Sequence, residues 1–117
     1  MNAFQKYLFY KKLMDQLDCT SNPVTKKDSP DTANSCVITW NNAKFMNKDM
    51  NYKVTSYRED NEYYTKVNIK DKPTLHFGKR LSKKLYHAAY RVAAAQEQQR
   101  MLNNIMHKLL MTENQSR

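Results

Sequence analysis

After Gly78 the chain contains neither glycine nor proline, and one spacing runs through most of its remaining C-terminal third. Leu81, Leu85, Ala88, Val92, Ala95, Gln99, Leu102, Met106 and Leu109 recur at alternating steps of four and three. That is a heptad seam with one polar position, Gln99. The alanine-rich composition favours a helix, so the pattern predicts one running to about Met111. At about 1.5 Å per residue it spans roughly 50 Å, longer than a small sheet covers. The first half therefore needs a layer to pack on. The second half must break away near Gln96–Arg100 or pack on something else, either the N-terminal helix or a second copy of the chain.

The upstream sequence offers such a layer. Residues 2–18 predict a helix, with Tyr10, Leu13, Met14 and Leu17 at i, i+3, i+4 and i+7. Tyr7 and Phe9 widen its apolar side, while Phe4 and Leu8 lie off the stripe. Residues 19–35, with two prolines among Ser, Asn and Asp, read as a loop or linker. Lys26 and Lys27 read as a solvated pair within it. Residues 36–46 carry conflicting signals. Val37, Ile38 and Thr39 favour a strand, whereas Cys36, Trp40 and Ala43 share a helical face behind a plausible start at Pro30–Asp31.

Residues 51–58 alternate, with Tyr52 and Val54 against Lys53, Thr55 and Tyr57. Residues 62–69 alternate too, with Tyr63, Thr65, Val67 and Ile69 on one face, so the polar Glu59–Asn61 turn closes a hairpin. A turn around Lys70–Pro73 leads into a short third strand, Thr74–Phe77. The expected fold class is α+β in the order α-α-β-β-β-α, with a three-stranded antiparallel sheet packed by helices and a long C-terminal helix. It is expected as a single unit: helix 1–18, linker 19–35, and a helix-and-sheet body over 36–117.

Composition narrows the chemistry. A single glycine in 117 residues excludes a P-loop, a Rossmann fingerprint and a nucleophile elbow, each of which needs several. Cys19 and Cys36 read as reduced thiols. No apolar run approaches the roughly 18 residues of a membrane span. Asp15 and Asp18 argue against a transit peptide, so an intracellular setting, cytoplasm or nucleus, is expected. His76, His87 and His107 have no metal-site spacing with the cysteines, and no triad or carboxylate pair stands in a recognisable local context. No catalytic residue, metal or cofactor is expected, and the chain reads as a non-enzyme.

The net charge of +9 implies an anionic partner. Residues 79–117 hold eight Lys/Arg against Glu97 and Glu113, a net of +6. At about 100° per residue, Lys79, Arg80, Lys83, Lys84, His87 and Arg91 share an arc of about 140° facing away from Leu81, Leu85 and Val92. Cations in a first turn oppose the helix dipole. The same helix end, with its free N–H groups, suits phosphate.

Helix, antiparallel strands and a final helix opened by lysines resembles the double-stranded RNA-binding domain. The stretch Gly78-Lys79-Arg80-Leu81-Ser82-Lys83-Lys84 is similar to the glycine that ends that family's third strand and to the K-K-x-A-K motif opening its last helix. The resemblance covers about residues 33–95. It implies that these lysines bridge phosphates across a major groove. It also implies that Trp40-Asn41-Asn42 corresponds to the family's first helix, which favours a helix over 36–46. Asn41, Asn42 and Lys44 would then approach a minor groove, with Arg58–Asn61 as the loop reaching a second one. That loop departs from the family by being acidic, and Tyr86 and His87 stand where the family has an alanine pair. The implied partner is double-stranded RNA, read by shape.

A rival reading makes the chain a small viral or phage-type interaction protein that inhibits a host complex through its basic face and C-terminal helix. Leu102, Ile105, Met106 and Leu109 would form its protein interface, or a homodimer interface under either reading.

Overall fold

The computed structural model describes residues 2–19, 23–28, 36–45 and 48–115. Helix α1 spans Ala3–Cys19 and opens on a reciprocal cap: the Gln5 N–H donates to Asn2 Oδ1 at 2.8 Å, and the Asn2 N–H to Gln5 Oε1 at 3.1 Å. Strands β1 (Val24–Asp28), β2 (Cys36–Phe45), β3 (Lys48–Glu59), β4 (Glu62–Ile69) and β5 (Leu75–His76) come next in the chain, and helix α2 runs from Lys79 to Gln115. The five strands form one antiparallel meander in sequence order. The α+β class, the N-terminal helix, the antiparallel strands at 51–58, 62–69 and 75–76, and the long C-terminal helix are all present.

Two segments differ from the expectation. Residues 36–45 are not a second helix but the strand β2, paired with β3 and, over Cys36–Trp40, also with β1, so that Trp40 stands opposite Val24 and Val54. The β-branched run at 37–39 is the local signal that prevails, because it lies between two partners over its whole length. The expected linker contains β1, whose Val24–Asp28 pairs with Cys36–Trp40. A five-residue strand with two lysines has little intrinsic preference. It is an edge strand, and lysine is common there.

The β3–β4 hairpin closes through Asp60 and Asn61, both at positive φ (50° and 65°), between the paired Glu59 and Glu62. That two-residue turn matches strand twist, and Asp and Asn tolerate it without glycine. One face of the sheet packs on both helices. Tyr52, Val54 and Val67 meet Phe9, Leu13 and Leu17 of α1 and Leu85, Ala89 and Ala93 of α2 in a single core. Leu13 and Leu85 are fully buried, each contributing about 1.5–3 kcal/mol. The hydroxyls of Ser56 and Thr65, also buried, pair with each other at 2.8 Å.

Helix α2 does not break near Gln96–Arg100. It crosses the sheet to the β1 edge, where Gln96 Oε1 accepts from the Val24 N–H at 2.8 Å. Beyond that bond, residues 97–112 are exposed throughout.

Candidate nucleic-acid interface

Six of the expected phosphate-binding side chains lie together. Lys79, Arg80, Lys83, Lys84, His87 and Arg91 are all exposed on α2. Leu85, Ala89 and Ala93, on the other side of the helix, are buried against the sheet. No acid occupies the first turn of α2, so cations and the positive dipole end coincide there. Gly78 precedes the helix without a positive φ, and a Cβ built on it meets nothing within 4 Å. The glycine is therefore permitted rather than required.

Lys79 is the exception within the group. Its Nζ lies 2.8 Å from Oε1 of Glu62, the first residue of β4, and Glu62 also accepts from the Tyr64 hydroxyl at 2.6 Å. The Lys79 hydrogen bond, then that of Tyr64, hold the Glu62 carboxyl below its ordinary range. The reciprocal effect pushes the Tyr64 hydroxyl up to about 12. Among the described residues, Lys79 alone of the six belongs to an ion pair.

The sequence reading missed the flank of this face. Tyr63, Tyr86 and Tyr90 form a ladder, with ring centroids 5.2 Å and 6.1 Å apart. Arg58 Cζ and Lys83 Nζ each lie 5.8 Å from the Tyr63 centroid, within cation–π range. Arg58 Nη2 donates to Asn61 Oδ1 at 2.7 Å, while its Nε is buried without a hydrogen-bond partner among the described residues. At the far end, Lys26 Nζ lies 4.4 Å from the Tyr90 centroid and 3.0 Å from its hydroxyl. Lys26 is thus part of this flank, not a solvated loop residue. Two signals could have located the ladder: the pairing of Arg58 with Tyr63 in the hairpin register, and the i, i+4 spacing of Tyr86 and Tyr90 beside Lys83 and His87.

His87 sits 5.2 Å from Tyr63 and 5.7 Å from Tyr86, ring to ring. Partial burial, then the charges of Lys83, Arg91 and Arg58, push its pKa below the ordinary histidine value. Arg58, Lys83 and Arg91 are therefore close enough to act on one imidazole.

The other expected contacts come from different elements. Asn41, Asn42 and Lys44 lie on β2, paired with Lys53, Tyr52 and Asp49, with a register shift between Asn42 and Lys44. They are not on a helix, so the proposed correspondence with the family's first helix fails. The Arg58–Asn61 turn is bound up with Tyr63 and itself. Among the described residues there is no group of three or more His, Cys, Asp or Glu placed to hold a metal ion. No helix among them is long and apolar enough to cross a membrane. Comparison with protein-family models, curated proteins and solved structures finds no match to this chain.

Proposed function

We propose that this protein binds nucleic acid without catalysis, gripping the phosphates of a double-stranded RNA through the exposed cationic face of α2. One observation carries the reading: Arg80, Lys83, Lys84, His87 and Arg91 line one exposed face at the start of a helix that has no acid in its first turn. Like charges so close together oppose folding through mutual repulsion and the helix dipole. A polyanion reverses both effects. The face is convex and about 18 Å long from Lys79 to Arg91. That shape suits the groove of a duplex better than a single strand, which needs a concave channel. Arg58 and Lys26 extend the positive field along the tyrosine flank. Duplex RNA is the expected ligand because its narrow major groove brings phosphates of both strands within reach of one helix end. An intracellular location, cytoplasm or nucleus, accompanies this reading.

The test is binding to a duplex RNA of about 20 base pairs, the matching DNA duplex and the single-stranded RNA. The duplex RNA is expected to bind tightest, and a Lys83→Glu/Lys84→Glu variant with unchanged circular dichroism is expected to lose that binding. Equal affinity for all three, or no effect of the substitutions, would refute the proposal and favour the rival role as a protein-binding inhibitor.

A further inference from the structure

Past Gln96, helix α2 leaves the sheet edge and carries an apolar face that no described part of the chain covers. Met101, Leu102, Ile105, Met106, Leu109 and Leu110 are between 49% and 65% exposed. At about 100° per residue they occupy one half of the helix cylinder, with Asn103, Asn104, His107, Lys108 and the half-exposed Met111 on the other. Together they present on the order of 700 Å² of apolar surface, more than the roughly 300–600 Å² of the largest patch on a typical monomer. That is close to the roughly 800 Å² per partner buried in a standard stable interface.

We infer that this face pairs with the same face of a second copy, the two distal halves of α2 lying antiparallel across a two-fold axis between Ile105 and Met106. Three features select this occupant and orientation. First, the face is self-complementary. With the axis at that point, Leu102 of one copy opposes Leu109 of the other, and Ile105 of each copy opposes Met106 of its partner, so every central contact is apolar. An isologous interface requires that property, and the heptad spacing provides it. Second, the charge distribution favours the antiparallel arrangement. Residues 79–96 carry five Lys/Arg and no acid, whereas residues 97–112 carry only Glu97, Arg100 and Lys108. An antiparallel pair joins the nearly neutral segments and puts the two cationic faces at opposite ends. A parallel pair would align them. Third, the Gln96–Val24 bond marks where the helix passes the edge strand, so the sheet does not obstruct an approaching copy. This dimer does not depend on nucleic-acid binding.

Sedimentation equilibrium on the full chain tests the inference. The expected mass is twice the 13.9 kDa of one chain, falling to the single-chain value in Leu102→Lys/Leu109→Lys with an unchanged far-ultraviolet spectrum. Orientation is read in a Cys19→Ser/Cys36→Ser background. Leu102→Cys mixed with Leu109→Cys is expected to form a disulfide-linked dimer on mild oxidation, and Leu102→Cys alone is not. A single-chain mass up to about 100 µM, well above a micromolar dissociation constant, overturns the inference. A doubled mass that survives both lysines also overturns it, as does efficient self-cross-linking of Leu102→Cys.

Discussion

His87 stands where partial burial and the cations Lys83, Arg91 and Arg58 make protonation costly. Its folded pKa lies below the unfolded value of about 6.5, so the unfolded chain takes up the proton first. The stability this histidine contributes is therefore complete above about pH 6.5. It is lost as the pH falls through that value towards the folded pKa. The urea midpoint should drop between about pH 7 and pH 5, and drop less in His87→Asn. Bound phosphate acts in the opposite sense: duplex RNA should raise the His87 pKa in an NMR titration. Glu62 offers a second residue-scale test, because it occupies Lys79 and anchors Tyr64. Glu62→Gln should return the Tyr64 hydroxyl from about 12 towards its ordinary value, read by ultraviolet titration. It should also tighten duplex RNA binding by about two- to fivefold, since one surface pair no longer competes for Lys79.

At the scale of elements, the long-period signals were legible and the short ones were not. The heptad seam gave α2 its extent, and alternation gave β3 and β4 their faces, because both patterns repeat over enough residues to outweigh chance. Val24–Asp28 has no such pattern and becomes a strand only because Cys36–Trp40 lies beside it. Over residues 36–45 the helical face of Cys36, Trp40 and Ala43 competes with the β-branched run, the family correspondence tips the reading to a helix, and the run prevails. The cationic arc was legible because it depends on one helix alone. The tyrosine ladder was legible only in part: the i, i+4 spacing of Tyr86 and Tyr90 stands in the sequence, but Tyr63 reaches Tyr86 only after hairpin and helix have packed. The hairpin itself can be tested at Ser56, whose hydroxyl meets that of Thr65. Ser56→Ala should cost about 1–3 kcal/mol in urea unfolding by leaving a buried hydroxyl without this partner. Adding Thr65→Val should recover part of that loss.

As a whole the molecule measures 65 × 38 × 22 Å, the long dimension reflecting how far α2 outruns the sheet. Its two ends carry different chemistry. The body presents a cationic face beside a tyrosine ladder, and the distal helix presents an apolar face with almost no net charge. Binding through the first should depend on salt as counterion release dictates, with log affinity falling linearly against log salt at about 0.9 per neutralised phosphate. A salt series on duplex RNA, run with the native chain and with Lys83→Ala/Lys84→Ala, measures whether the cations of α2 hold the phosphates. A native slope of about −4, shallower by about two in the variant, is the predicted result. A slope near zero, or one that the substitutions leave unchanged, would contradict it.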